Sequence, residues 1–212
     1  MGNHNLKKNS GAWLIFDDHP LVCSGVKGVI SELGLSNEII TTTHSKEALN
    51  ILKTVNIDLL ILDINLSDCD GYAFYQRLKS HGYSGKVIFY SAESCLMYSQ
   101  MALQLGADGY VCKSESCEIL KDAVDIVLKG YSFFKFKQET KNRNDLPALS
   151  NRENSVMRLL TQGKDNKEIA EILSISNKTV STYKRRIFSK FNIKNTLELT
   201  RLLNKDLDSN QM

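Results

Sequence analysis

Four short apolar runs in the first half of the chain each end in a polar or charged side chain. They lead into Asp17-Asp18, Asp63, Ser91 and Lys113. Runs of this length are typical of buried strands, and the segments between them carry apolar residues at helical spacing. Strands that alternate with helices predict a parallel sheet, whose carboxyl ends share one ligand-binding crevice. We therefore expect these polar side chains to meet at one edge of a single sheet.

The alternation predicts an α/β fold, a doubly wound (βα)₅ sheet with helices on both faces. The strands are expected at residues 12–16, 39–42, 59–63, 87–91 and 109–112. The helices are expected at about 20–33, 45–54, 71–80, 94–105 and 115–129. Gly71 stands where a turn must lead into the third helix.

Beyond residue 134 the pattern changes. Residues 135–145 have no apolar period and are typical of a linker. Ser150 and Glu153 form a capping box that opens the first of four further helices. The first is expected to end near residue 162. The other three are expected at residues 166–173, at 177–190 and from about 195 onward. We predict three parts: a (βα)₅ unit over residues 12–131, a linker over 132–146 and an all-α four-helix unit over 147–208.

The charge of the chain is divided between its two halves. The formal net charge of +3 combines −3 in residues 1–140 with +6 in residues 141–212. An acidic half joined to a basic half is typical of a switch domain joined to a nucleic-acid binder.

Several classes of protein are disfavoured. No apolar run is long enough to cross a bilayer, and the first residues lack the apolar stretch of a signal peptide, so we expect a cytoplasmic protein without membrane insertion. The five cysteines contain no C-x-x-C pair, which argues against a disulfide framework and against zinc. The four histidines have no metal-type spacing to one another, so structural or surface roles are expected for them.

The carboxylates at the expected crevice indicate a cation. Asp17, Asp18 and Asp63 would repel one another unless a positive charge lay among them. Mg²⁺, a hard ion that one or two carboxylates can hold, suits such a place. The pattern favours phosphoryl chemistry on an aspartate.

With Tyr110 three positions before Lys113, these residues resemble a response-regulator receiver domain over about residues 12–130. The resemblance implies that Asp63 accepts the phosphoryl group. It implies that Asp18, Asp63 and the backbone carbonyl of Asn65 bind Mg²⁺, with Asp17 acting through water. A phosphatase of the haloacid-dehalogenase type is the alternative, but it needs a second aspartate where Asn65 stands.

The same resemblance assigns the remaining polar groups. Lys113 would pair with a phosphoryl oxygen, Ser91 would move to hydrogen-bond the new group, and Tyr110 would swing into the vacated space. The chain would not be an enzyme, beyond its own phosphorylation and a slow autodephosphorylation. One departure is Ser67, four positions after Asp63, where receivers usually have proline.

The second half has a basic segment. Residues 172–197 contain six basic residues and no acidic one, which favours contacts with phosphates. Val180, Ile187 and Phe191 are expected to form a buried stripe on one helix. Short polar residues near the start of that helix, with an arginine one turn later, suit base edges in a major groove.

The segment from residue 147 to 206 resembles the LuxR/NarL-type helix-turn-helix. By position, the residues that would face bases are Ser181, Thr182 and Arg185. Those that would meet phosphates are Lys167, Lys178, Thr179, Lys184 and Arg186, of which Lys178 could also face a base. Dimerisation candidates on the last helix are Leu197, Leu199, Leu202 and Leu203. They would both close the core and help dimerisation, and core packing alone is the alternative.

With a receiver-like first part and a helix-turn-helix second part, the chain resembles the NarL/FixJ two-component response regulators, especially the BvgA, EvgA and FimZ group. That resemblance implies promoter DNA as target, a homodimer on DNA, and a sensor histidine kinase or phosphorelay protein as phosphoryl donor. RNA polymerase is a candidate partner. A DNA binder whose receiver serves only for dimerisation is the alternative, which retention of function by Asp63→Ala would favour.

Overall fold

The computed structural model describes residues 11–36, 38–93, 96–134 and 149–208. The chain divides into two compact units, Met1–Lys135 and Phe136–Met212. The finer division at residues 12–131, 132–146 and 147–208 stays a prediction, because most of the expected linker lies outside the described residues. Within the described part of the chain, no helix is long and apolar enough to cross a membrane.

The first unit is the expected alternation of strands and helices, so the predicted fold is confirmed. Its strands are β1 (Ala12–Phe16), β2 (Ile39–Thr42), β3 (Ile57–Leu62), β4 (Lys86–Ser91) and β5 (Gly109–Cys112). Its helices are α1 (Pro20–Ser31), α2 (Ser45–Thr54), α3 (Gly71–Ser80), α4 (Leu96–Gln104) and α5 (Cys117–Leu128). These bounds lie within two residues of the predicted ones.

All five strands are parallel and lie in the order β2-β1-β3-β4-β5. Helices cover both faces of the sheet, and β1, which is buried at every position, is accordingly apolar throughout. On one face Trp13, Ile15 and Ile61 pack against α1 and α5. On the other, the ring of Phe16 meets that of Phe74 of α3 edge-on, with ring centroids 5.1 Å apart.

The strand order positions the crevice. The chain leaves β1 in one direction toward β2 and returns to β3 on the other side of β1. At such a switch point the loops diverge and leave a cleft at the carboxyl ends of the strands. Asp17 and Asp63 directly follow the adjacent strands β1 and β3, so both stand at this cleft.

Gly71 opens α3 against the backbone of the acceptor strand. A Cβ at this position would lie 2.1 Å from the carbonyl oxygen of Asp63 and 2.8 Å from the Cα of Ile64. Only glycine permits so close an approach. The glycine thus allows the start of α3 to lie directly against Asp63, the residue that follows β3.

The second unit consists of α6 (Asn151–Thr161), α7 (Asn166–Leu173), α8 (Asn177–Phe191) and α9 (Thr196–Asp208). The predicted capping box of Ser150 and Glu153 is present. A second box, formed by Asp165 and Glu168, begins α7. This second box was not predicted from the sequence, although an aspartate followed three positions later by a glutamate is a recognisable signal for the start of a helix. Ser174 then ends α7 in the left-handed region, with a φ of 51°.

Candidate functional site

Two buried carboxylates and one lysine form the centre of the crevice in the first unit. Asp17 and Asp63 are only 2% and 3% exposed. Lys113, which directly follows β5, places its Nζ 2.6 Å from Asp17 Oδ2 and 2.9 Å from Asp63 Oδ2. The three residues come from three separate strands. The ammonium group is therefore the positive charge that allows two carboxylates to be buried side by side.

The pKa of Lys113 reflects these neighbours. Burial by itself would lower the pKa, because it disfavours the charged ammonium. The charge of Asp63 and the hydrogen bonds to Asp17 and Asp63 outweigh burial and raise the pKa above its ordinary value. Lys113 therefore stays protonated at neutral pH and keeps its charge directed at Asp63.

Asp18 lies at the outer side of the cluster. Its Oδ2 accepts a hydrogen bond from the backbone N–H of Ser67 at 2.9 Å, and its Oδ1 lies 2.8 Å from Nδ1 of His19. One ligand atom from each of Asp17, Asp18, His19 and Asp63 falls within 4.8 Å of the others. Carboxylate oxygens in such a group suit a hard divalent cation such as Mg²⁺. The described residues thus contain an acidic cluster that could hold one.

His19 is a neighbour of the site that sequence reasoning missed. Its Nδ1 lies 3.3 Å from Asp17 Oδ1, although two thirds of its side chain is exposed. The available signal was its place directly after the Asp17-Asp18 pair. The sequence predicts a structural or surface role for His19, whereas the structure places it against both carboxylates.

Ser91 and Tyr110 lie near the same crevice. Ser91 is fully buried, and its hydroxyl has no hydrogen-bond partner among the described residues. Tyr110 is also buried, and its hydroxyl donates to the backbone carbonyl of Glu93 at 2.5 Å. Burial raises the pKa of Tyr110 far above its ordinary value, so the phenol stays protonated and acts as a donor.

Glu93 is a second residue that sequence reasoning missed. Its backbone accepts from Tyr110, and its Oε1 accepts from Nδ2 of Asn65 at 3.0 Å. It therefore connects the loop after β3 with the residue on β5. No motif singled it out, although it stands two positions after Ser91 in a loop that must pass the crevice.

The loop from residue 65 to 70 is held by hydrogen bonds on several sides. Asn65 and Asp70 form a β-bridge across it. The carboxylate of Asp68 accepts from the N–H of Ser45 at 2.8 Å, and that of Asp70 caps α3 by accepting from Ala73. Ser67 stands where receivers usually have proline, and these hydrogen bonds hold the loop in place without it.

The second unit presents its predicted DNA-contact residues mainly on α8. Val180 and Ile187 are fully buried, and Phe191 is half-buried, so the apolar stripe faces the core. Ser181 and Arg185 are exposed on the opposite side. The exposed arginine lies one turn after the serine.

The other predicted base-facing and phosphate-facing residues are less uniform in exposure. Lys167, Lys178 and Arg186 are exposed, whereas Thr179, Thr182 and Lys184 are half-buried. Two of the cations rest on aromatic rings of the same helix. Lys184 Nζ lies 5.7 Å from the centroid of Phe188, and the guanidinium of Arg186 lies 6.0 Å from that of Tyr183. These rings hold the cations at the surface without neutralising them.

Lys190 connects the end of α8 with the start of α6. Its Nζ lies 2.7 Å from Oε2 of Glu153, whose side chain is 4% exposed and also accepts from Ser150. Burial alone would raise the pKa of Glu153, but Lys190 and Ser150 outweigh it and lower the pKa below its ordinary value. The capping box of α6 is thereby connected to α8, the helix that carries the exposed basic residues.

The dimerisation candidates on α9 differ in exposure. Leu199 is fully buried and belongs to the core of the unit, which removes it from the surface available to a partner. Its apolar spacing alone did not distinguish a core position from an interface position. Leu197 and Leu202 are 60% and 36% exposed and stay candidates. The side chain of Leu203 lies outside the described residues.

Two family models match the chain. The response regulator receiver domain matches residues 13–125, and the luxR family of bacterial regulatory proteins matches residues 147–203. The first range contains all the crevice residues, and the second contains α8.

Individual proteins are similar over most of the chain. The Fimbriae Z protein of Salmonella typhimurium strain LT2 is 37% identical over 195 residues, which are 88% of this chain and 92% of that protein. The DNA-binding transcriptional activator EvgA of Escherichia coli K12 is 33% identical over 194 residues, 88% of this chain and 94% of the relative. A structure of the Salmonella typhimurium RcsB response regulator, described for its conformational dynamism in DNA interaction, has a TM-score of 0.78 at 25% identity. The alignment covers 93% of this chain and 98% of the RcsB chain.

Proposed function

We propose that this chain, which belongs to the two-component response regulators with a luxR-type DNA-binding domain, is switched by a phosphoryl group on Asp63. Family membership rests on the two matched domains and on relatives that align over nearly their whole length. The predicted combination of receiver and helix-turn-helix, and the likeness to the FimZ and EvgA regulators, are confirmed. The family consists of transcription regulators rather than enzymes, as predicted.

One observation supports Asp63 as acceptor above all others. Its carboxylate is buried at the end of a central strand and lies 2.9 Å from a lysine that stays protonated. An oxygen of Asp63 would attack the phosphorus of a donor. A new P–O bond would form as the bond between phosphorus and the leaving group breaks, and the electron pair would depart with the leaving group. The product is an acyl phosphate on Asp63.

The surrounding residues would stabilise this product. Lys113 would pair with a phosphoryl oxygen through a charge-assisted hydrogen bond. Mg²⁺ would neutralise developing oxyanion charge, held by Asp18, Asp63 and the backbone carbonyl of Asn65, with Asp17 acting through water. The carboxylates of Asp17, Asp18 and Asp63, whose ligand atoms lie within 4.8 Å of one another, support the carboxylate part of that set.

The switch would use the two groups near the crevice. The Ser91 hydroxyl, buried without a partner among the described residues, is available to donate to a phosphoryl oxygen. Tyr110 would then give up its hydrogen bond to Glu93 and turn into the vacated space. We propose that this changes the receiver surface and either favours dimers or frees the DNA-binding helix from the receiver.

The second unit would bind promoter DNA through α8. Ser181, Thr182 and Arg185 would read bases, while the lysines, Thr179 and Arg186 would contact phosphates. The likeness to RcsB, whose structure concerns DNA interaction, supports DNA binding by this chain. A dimer would read two half-sites about one helical turn, or a multiple of it, apart. We propose further that the chain acts in the cytoplasm and that a sensor histidine kinase or a phosphorelay protein donates the phosphoryl group.

The test is intact mass spectrometry after incubation with acetyl phosphate and Mg²⁺. Wild type should gain one phosphoryl group, and Asp63→Asn should gain none, because the amide cannot act as the nucleophile. Asp68→Asn is the matched control, since this exposed aspartate lies on the same loop. It should be phosphorylated like wild type.

The outcomes separate the alternatives. A phosphoryl group on both wild type and Asp63→Asn would place the acceptor elsewhere. No phosphoryl group on wild type would favour a receiver that serves dimerisation alone. In that case Asp63→Asn should bind DNA as wild type does.

A further inference from the structure

The loop between β3 and α3 supplies an N–H group that the usual receiver residue could not. Ser67 stands where proline is typical, and its backbone N–H donates to Oδ2 of Asp18 at 2.9 Å. Proline has no N–H. The departure noted in the sequence therefore adds a hydrogen bond to one of the carboxylates of the acidic cluster.

The bond fixes a carboxylate that has few other restraints. Asp18 is 14% exposed at its side chain, whereas Asp17 and Asp63 are each 3% exposed and are bound by Lys113. Among the described residues, Lys113 forms ion pairs with Asp17 and Asp63 and none with Asp18. Of the two oxygens of Asp18, Oδ1 lies near the exposed ring of His19 and Oδ2 receives the Ser67 N–H. Without that bond, the contact between Oδ1 and the exposed ring of His19 would be the remaining restraint on the carboxylate among the described residues.

We propose that Ser67 is a positioning residue, whose backbone N–H holds the Asp18 carboxylate in the orientation that binds a divalent cation. This inference rests on the proposed metal site. Hydrogen bonds to the ligands of a metal orient them, and their loss costs about 10- to 100-fold in metal affinity. In this chain the orienting group comes from the acceptor loop itself.

The role is separable from closure of the loop. Three other contacts close it: the bond from Ser45 to Asp68, the cap formed by Asp70, and the bond from Asn65 to Glu93. The Ser67 hydroxyl makes no hydrogen bond within the described residues, and the residue is exposed. Only the backbone N–H of Ser67 therefore connects this residue to Asp18.

The experiment compares two substitutions at one position in the full chain. Ser67→Pro removes the N–H, and the resemblance to receivers indicates that the loop accepts proline. Ser67→Ala keeps the N–H and removes only the hydroxyl. Mg²⁺ affinity is measured by isothermal titration calorimetry and by the fluorescence of Trp13, the only tryptophan, four residues before Asp17. Thermal unfolding in EDTA checks that each variant is folded.

We expect Ser67→Pro to raise the Kd for Mg²⁺ by about 10-fold or more, and Ser67→Ala to stay within about twofold of wild type. Equal affinity for Ser67→Pro and wild type would overturn the proposal. So would an equal loss for alanine and proline, because alanine retains the N–H.

Asp18→Ala distinguishes this proposal from the one on which it rests. If wild type binds Mg²⁺ and Asp18→Ala does not, the metal site stands and the comparison at Ser67 decides the positioning role. If Asp18→Ala binds Mg²⁺ like wild type, Asp18 is not a ligand. The proposed metal site and the role of Ser67 then both fail.

Discussion

The two units place their functional groups in opposite environments. In the first, Asp17, Asp63 and Lys113 come from three strands and meet where the carboxylates are almost fully buried. In the second, Ser181 and Arg185 lie on one helix and are exposed. A buried ion cluster depends on every partner, because a charge left alone in the interior is costly. Exposed groups on one helix can be changed with little effect on folding.

This contrast leads to different expectations for mutation. In the receiver unit, substitutions that alter chemistry should also alter stability. In the DNA-binding unit, recognition and stability should separate. Four predictions test the contrast, from the largest expected effect to the smallest.

Lys113→Met should lower the free energy of unfolding of the receiver unit by about 3–5 kcal/mol in EDTA, because Asp17 and Asp63 then lose their cation. Excess Mg²⁺ should restore part of the loss by binding the folded state. Denaturant titrations with and without Mg²⁺ measure both effects. Lys129→Met is the control, since that lysine forms an exposed ion pair with Asp125. Similar losses for the two variants would contradict the special role of the buried cluster.

Leu199→Ala should destabilise the second unit by about 2–5 kcal/mol, as expected for a leucine that is fully buried. Leu197→Ala should change stability by less than about 0.5 kcal/mol, because its side chain is 60% exposed. If α9 forms the dimer contact, Leu197→Ala should weaken self-association in sedimentation experiments. If Leu199→Ala kept the stability of wild type but lost the dimer, Leu199 would be an interface residue.

Arg185→Ala should reduce discrimination between a selected and a scrambled duplex by about 1–3 kcal/mol if it contacts a base edge through two hydrogen bonds. Lys184→Ala should weaken both duplexes alike and reduce the salt slope by about one. Fluorescence anisotropy over a salt series, with a duplex selected from a random pool, measures both. Equal losses of Arg185→Ala on the two duplexes would remove its base-reading role.

Glu153→Gln should lower the stability of the second unit by about 1–2 kcal/mol at pH 7, through loss of the charged bond to Lys190. The folded-state pKa of Glu153 is lowered, so its contribution is complete above the ordinary glutamate pKa and disappears as pH falls through the folded-state pKa. The difference between wild type and variant should therefore shrink below about pH 4. Denaturant titrations from pH 7 to 3 follow it. A difference independent of pH would show that charge is not the cause.

Much of the fold could be predicted from local patterns. The apolar runs of the strands and the helical spacing between them placed every element of the first unit within two residues, because periodicity reports which faces are buried. The Ser150 capping box likewise predicted the start of α6, since a cap depends on residues three positions apart. The basic residues of α8 were found in the same way, from one continuous segment.

Contacts between distant residues could not be predicted in this way. The bond from Ser67 to Asp18 joins residues 49 positions apart, and that from Lys190 to Glu153 joins residues 37 apart. Glu93 was missed because its two contacts reach β5 and the loop after β3. Leu199 and Leu197 have the same apolar character in the sequence, and only packing makes one a core residue.

The sequence by itself determined the two kinds of unit, the crevice residues and the basic helix, because each depends on local periodicity, caps and the ends of strands. Only the tertiary structure decided which charges neutralise one another. Lys113 bridges Asp17 and Asp63 because parallel pairing in the order β1-β3-β4-β5 brings three strand ends to one edge. The same packing brings the Ser67 N–H to Asp18, since hydrogen bonds and ion pairs act over distances set by the fold and not by the chain.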